Sequence, residues 1–267
     1  MNKLIKGLLV LALLLAVFPI AAVFGMVTAL GVQNFRPEMI FGISSFSSML
    51  PSVCNTFLLI VATLLLSVPP ALFAAIFLWF YGHKRRFWVS ILQALIDALG
   101  AIPSIIYALF GLIVFVNTAG LGFSFLSGVL TMTIVVLPIL VRAVEQTFWS
   151  VPREVYYSGV ALGISKMQVI LSVMIPETLR GIASGVMLSM GRIIGESAAL
   201  IFTLGTASGF IKSFSSSGKT MAVHLYSLTT EGLYLQDAYG AALILLVFVI
   251  IFNIISYFLL RKRDDYE

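Results

Sequence analysis

Charge is what this sequence has least of. Asp, Glu, Lys and Arg together make up only 10% of its 267 residues, against roughly 25% in an ordinary soluble domain. The hydrophobic share is 60% and the mean hydropathy is +1.10. That balance excludes a water-soluble globular domain and defines an integral membrane protein. Cysteine is almost missing too. Cys54 stands alone, which excludes an internal disulfide and a cysteine metal cluster. The two histidines, His83 and His224, lie far apart and match no metal-ligand spacing, so no metal site is expected. Nor is there room for a soluble catalytic domain, because the apolar runs use up most of the length. The net charge of +5 does not argue for nucleic acid. Its placement at the ends of apolar runs is explained by membrane orientation.

The apolar runs are continuous and much longer than the roughly 10 residues of a barrel strand, so they predict an all-α membrane bundle. Six transmembrane helices are expected, near residues 8–30, 52–80, 88–116, 125–148, 181–204 and 243–260. The first begins after Lys3 and Lys6, as a signal peptide would. It outruns the roughly 7–15-residue core of such a peptide and has no clear A-x-A site, so a retained helix is expected. Pro69-Pro70 predicts a kink or break in the second span, and Pro103 a kink in the third. The third carries Asp97, Gly100, Ser104, Tyr107 and Gly111 on one helical stripe. With the N-terminus inside, twelve of the sixteen Lys and Arg residues fall on the cytoplasmic side, including Lys84–Arg86 and Arg261–Arg263. Arg36, Lys212 and Lys219 fall outside, which is the asymmetry the positive-inside rule requires. Both termini are therefore expected in the cytoplasm. The expected organisation is a first helix and outer connector (1–51), a five-helix core (52–260) and a cytosolic tail (261–267).

The fifth stretch, GIASGVMLSMGRIIGESAALIFTL, carries the chemistry. It is apolar enough to cross a bilayer, yet holds Arg192 and Glu196 near its middle. An ionised group at that depth costs several kcal/mol and must face protein or a water-filled path. On a continuous helix Gly185, Ser189, Arg192, Glu196, Ala199 and Thr203 share one stripe, a candidate substrate pathway to which Asp97 of the third span is added. Gly191 and Gly195 form a small-xxx-small pair on the adjoining stripe, suited to helix packing. The bland alternative is an Arg–Glu pair that only cross-links helices.

Between the fourth and fifth spans lies WSVPREVYYSGVALGISKMQVILSVMIPETLR, residues 149–180. It predicts helical pieces punctuated by Pro152, Gly163 and Pro176. Its apolar residues imply burial, against either the chain's own helix ends or a separate subunit. Here the spacing Ala161-Leu162-Gly163, nine residues, then Val173, Ile175 and Pro176 resembles the coupling-loop signature of ABC importer membrane subunits. Aligned on Gly163, the triplet Tyr157, Ser158, Gly159 stands where that family carries Glu-Ala-Ala, so the acidic residue is missing. Glu154 lies one turn earlier. Four further segments, IPSIIYALFG (102–111), VLPILVRAVEQTFWSVP (136–152), GRIIGESAALIFT (191–203) and TMAVHLYSLTTEG (220–232), resemble the phosphate-specific importer, and the PstA-type subunit more than its PstC-type partner. Ser197 stands where a threonine is usual.

The resemblance implies a type I importer bundle that carries phosphate. It also implies a heterodimer with a PstC-type membrane subunit, two ATPase subunits bearing ATP and Mg, and an external phosphate-binding protein. Tyr157, Ser158, Gly159, Gly163 and Pro176 would then couple the chain to the ATPase. No cofactor is expected in this chain. Two other readings stand beside this one. One is an importer of another oxyanion, molybdate or sulfate; the other is an ion-coupled carrier using Asp97, Arg192 and Glu196 as a relay. One further motif is a decoy. SFSSSGKT (213–220) approaches a phosphate-cradling loop, but its first glycine is Ser213, no strand is expected before it, and it falls outside the cell.

Overall fold

A computed structural model describes residues 3–41, 48–82, 86–230 and 235–261. Lys84, Arg85, Lys262 and Arg263, counted above in the inner basic clusters, lie outside the described residues, as do His83 and most of the expected 261–267 tail. The described residues form helices and connecting turns with no strand. In order they are α1 (Lys3–Asn34), α2 (Glu38–Phe41), α3 (Leu50–Tyr81), α4 (Arg86–Ala101) and α5 (Ser104–Gly111), the last extended by a π-helical stretch, Leu112–Thr118. Then come α6 (Phe125–Ser150), α7 (Arg153–Ala161) and α8 (Lys166–Val169), followed by a second π-helical stretch, Ile170–Met174. The chain closes with α9 (Ile175–Gly195), α10 (Ala198–Ile201), α11 (Met221–Thr230) and α12 (Leu235–Arg261).

Five helical stretches are long and apolar enough to cross a membrane, and α4 with α5 would make a sixth if counted as one bent span. That pair differs from the kinked helix expected. The two arms meet at 92° around Ile102-Pro103, so the polar stripe from Asp97 to Gly111 does not exist as one line. Proline removes a donor and biases the preceding residue away from helix, which frees the last carbonyls of α4. Tyr107 answers one of them, donating its hydroxyl to the Leu99 carbonyl at 2.7 Å across the bend. At Pro69-Pro70 the outcome is the reverse: α3 continues unbroken from Leu50 to Tyr81. The Leu65 and Leu66 carbonyls lose their usual partners there, a loss that packed membrane helices tolerate.

The core is the packing of α3 and α9 on α6. Leu59, Ile60 and Leu78 of α3, Met132, Val136 and Leu140 of α6, and Ile193 and Ile194 of α9 are all buried in it. Close approach of α6 and α9 depends on glycine. A Cβ on Gly185 would sit 2.7 Å from the Cβ of Ala143, and one on Gly181 would collide with Thr147. Gly185→Ala should therefore lower the yield of folded protein and its thermal midpoint in detergent, by about 1–3 kcal/mol of overpacking. Adding Ala143→Gly should recover much of that loss. An unchanged melting curve for Gly185→Ala would contradict the packing.

The segment 206–220 is anchored. Asn55 of α3 donates to the carbonyls of Gly209 (2.9 Å) and Lys219 (3.2 Å) and accepts from the Ile211 N–H (2.9 Å). The loop in turn caps α6, whose first N–H groups at Phe125 and Leu126 donate to Ser216 and Phe214 carbonyls. The SFSSSGKT segment lies within this loop, with no strand before it among the described residues. Helix α1 behaves differently from the rest. Leu8, Leu11 and Leu15 along it are more than half exposed. Among the described residues its C-terminal end is packed, where Gly31 meets Leu243 of α12, and just beyond the helix Arg36 pairs with Asp237 at 3.2 Å.

Candidate functional site

The single helix expected through residue 204 ends instead at Gly195. Glu196 adopts extended backbone (φ −80°, ψ 126°), and four residues of α10 follow after Ser197. The same long helix begins earlier than expected, running from Lys166 through the π-helical stretch to Gly195. The break gives Glu196 two tasks. One carboxylate oxygen accepts the Ala199 N–H at 3.2 Å, satisfying a free donor of the next turn. The other lies 3.2 Å from the Arg192 guanidinium. Their exposures differ sharply: the Glu196 side chain is 4% exposed and that of Arg192 is 42%. Arg192 is therefore partly open while its partner is enclosed.

Its surroundings on α9 are open as well. A Cβ on Gly191 or Gly195 would meet nothing within 4 Å among the described residues, so both positions are open there. Ser189 and Thr203 take no part in this open face. Both are buried, with hydroxyls donated to the carbonyls of Gly185 (2.9 Å) and Ala199 (2.6 Å). Asp97 belongs to a different cluster. On α4 it accepts from Arg142 of α6 at 2.5 Å, and Arg142 also donates to Glu145 (2.7 Å) and to the Gln93 carbonyl (2.9 Å). Glu145 is buried and accepts in addition from the Gln93 amide and, at 3.4 Å, the Trp149 indole. The structure thus unites Arg192 with Glu196 and leaves Asp97, Ser189 and Thr203 apart from them. The Arg142–Glu145 spacing in the sequence was the signal for the second cluster.

The connector is a helical hairpin. Helix α7 ends in a left-handed glycine: Gly163 has φ +82°, its N–H donates to the Val160 carbonyl (3.0 Å), and the Ile164 N–H reaches back to Gly159 (3.3 Å). These two bonds are those of a Schellman cap, and only glycine adopts the central conformation without strain. In the Tyr157-Ser158-Gly159 triplet, Tyr157 and Ser158 are exposed and Gly159 is buried. A Cβ on Gly159 would stand 2.8 Å from Val169, so the returning helix α8 packs on bare backbone there. Pro176 lies in the first turn of α9, directly after the π-helical stretch. A wider turn before a proline accommodates its missing donor. Leu162 at the tip is 80% exposed.

The described residues thus make a polytopic helical bundle with a glycine-capped hairpin and a charged break at the end of an apolar helix. Residues 80–264 match the family described as binding-protein-dependent transport system inner membrane component, and the chain belongs to it. It is thus a multi-pass inner-membrane permease subunit of the ABC importer class. Among relatives, a probable ABC transporter permease of Bacillus subtilis is 30% identical over 75% of this chain and 73% of its own length. The phosphate transport system permease protein PstA of Haemophilus influenzae is 30% identical over 76% of this chain and 72% of its own. A PstA homolog of Mycoplasma pneumoniae is 33% identical over 78% of this chain, which spans only 33% of that protein. Among solved structures, a bacterial alginate ABC transporter superposes with a TM-score of 0.73 at 14% identity, covering 97% of this chain and 94% of that one. The methionine transporter MetNI gives 0.64 at 15% identity, covering 80% and 93%. Those likenesses establish the fold.

Proposed function

We propose that this permease carries inorganic phosphate into the cell, as one half of a membrane heterodimer driven by a separate ATPase. The observation that carries the reading is the half-exposed Arg192, held by buried Glu196 on an uncovered face of α9. A guanidinium offers a planar fork of donors that matches an oxyanion, and at membrane depth its open side must face protein or water. The PstA-named relatives support phosphate as the anion. In this reading a PstC-type subunit covers Gly191 and Gly195, and the two chains enclose the path between them. An external binding protein delivers phosphate, and two ATPase subunits, holding ATP and Mg, dock on the hairpin around Gly163. Residues 52–260 form the permease core, and both termini are cytoplasmic.

Mechanistically, Glu196 holds the guanidinium neutralised while the site is empty. An arriving phosphate competes for it, and the displaced carboxylate keeps the hold weak enough for release. The experiment is to purify the chain with its co-expressed partners and measure ATP hydrolysis with binding protein present. Stimulation by phosphate and not by sulfate or molybdate is expected. Stimulation by one of the other oxyanions alone would transfer the assignment to it.

A further inference from the structure

Toward the hairpin, α6 and α9 leave between them a groove of about 520 Å³. It is lined where the helices come closest, at Gly181 and Gly185, whose missing Cβ atoms would strike Thr147 and Ala143. The rest of its lining is polar for two helices long enough to cross a membrane. Gln146, Thr147 and Ser150 come from α6, and Glu177, Arg180 and Ser184 from α9. Along α9, Ser184 is followed by Leu188, Gly191 and Gly195 at helical spacing, so the groove and the open glycine face form one stripe. Arg192 stands at the edge of that stripe. At about 1.5 Å per residue, Ser184 lies about 12 Å from Arg192 in the direction of the hairpin. An anion leaving Arg192 that way enters the groove.

Hydroxyl geometry limits what the groove can hold. Thr147 donates to the Ala143 carbonyl (2.8 Å), Ser150 to that of Thr147 (2.7 Å) and Ser184 to that of Arg180 (3.1 Å). A hydroxyl has one proton, so each of these oxygens has only lone pairs left to offer. Glu177, exposed at the hairpin end of α9, is an acceptor as well when ionised. Gln146, also exposed, brings amide N–H donors. Sulfate at neutral pH is fully ionised and can only accept. Phosphate keeps at least one P–OH there and can donate. We infer that the groove is an inner station for phosphate, selective for an oxyanion that still carries a proton. In it the Gln146 amide donates to an ionised oxygen, and the P–OH donates to the hydroxyl oxygen of Ser184 or Thr147. Glu177 repels any anion, and only a P–OH turned toward it makes that contact favourable. Neutral partners keep the hold weak, so the anion passes on. The inference rests on the reading that phosphate passes Arg192, and its test separates the two.

The test uses the complete transporter in proteoliposomes, without nucleotide, carrying Ser184→Cys in a Cys54→Ser background. A membrane-impermeant thiol reagent applied at the ATPase face should label this chain. Phosphate should slow the labelling at least about fivefold, arsenate, which also keeps an O–H at neutral pH, should do the same, and sulfate should not. In a second arm, Gln146→Leu with Ser184→Ala changes two exposed positions outside the core. This pair should lower phosphate uptake at least about fivefold with assembly unchanged. Equal protection by sulfate, protection by no oxyanion, or a thiol that reacts only by cross-linking to the second membrane subunit overturns the proposal. Wild-type uptake by the double variant, with Arg192→Lys still impaired, removes the station and leaves the phosphate reading standing. Uptake of sulfate and not phosphate by the unaltered transporter removes both.

Discussion

Gly163→Leu should leave the permease inserted and paired with its membrane partner, but cut phosphate-stimulated ATP hydrolysis at least about tenfold. The reason is local. With φ at +82°, a leucine at this position must either adopt a left-handed backbone, at about 1–2 kcal/mol, or unwind the cap. Unwinding breaks the Gly163–Val160 and Ile164–Gly159 hydrogen bonds that fix how α7 turns back into α8. Among the described residues, nothing beyond the glycine and its two chain neighbours lies within 4 Å of where the new Cβ would be, so the core is not disturbed and the defect stays at the hairpin tip. Gly163→Asn is the control, because asparagine visits the left-handed region at lower cost and should retain much of the activity. Wild-type hydrolysis by Gly163→Leu, or equal loss in both variants with poor assembly, would remove the hairpin from the coupling path.

Arg192→Gln should abolish phosphate uptake, and Arg192→Lys should reduce it at least about tenfold while leaving assembly intact, because lysine keeps the charge and loses the bidentate fork. The glutamine variant carries a second penalty. Glu196 is 4% exposed, so without Arg192 it is a buried carboxylate whose hydrogen bond among the described residues is from the Ala199 N–H. Changing Glu196 to Gln as well relieves that penalty. Its amide oxygen can still accept the Ala199 N–H, so the double variant should recover folded yield without recovering uptake. A purely structural ion pair predicts recovery of both. Wild-type uptake by the double variant would take Arg192 out of the path.

How much of this was readable in advance differs from residue to residue. Apolar run lengths were enough to place five membrane-length helices among the described residues, since hydropathy is local and additive. The glycine turn at 163 was readable for the same reason. Angles and breaks were not. Pro103 and the Pro69-Pro70 pair carry the same local signal, yet one joins arms at 92° and the other passes through a continuous helix. The difference lies in tertiary partners such as the Tyr107–Leu99 bond, which no propensity contains. The stripe drawn from Gly185 to Thr203 failed past Gly195 because Ala, Leu and Ile after it favour helix. At the break Glu196 turns extended and its carboxylate accepts the Ala199 N–H, a capping bond that helix propensity does not report. Arg192 and Glu196 survive as neighbours because the break falls after their shared turn. Asp97 was assigned by extending a helix that turns away, so its partner became Arg142.

The most direct test of phosphate import is uptake by proteoliposomes holding the complete transporter, with the binding protein outside and ATP inside the lumen-equivalent cytoplasmic side. Labelled phosphate should accumulate only when ATP is present at the ATPase face, unaffected by collapsing proton and sodium gradients and not competed by excess sulfate or molybdate. Accumulation that follows an ion gradient and ignores ATP would contradict the account.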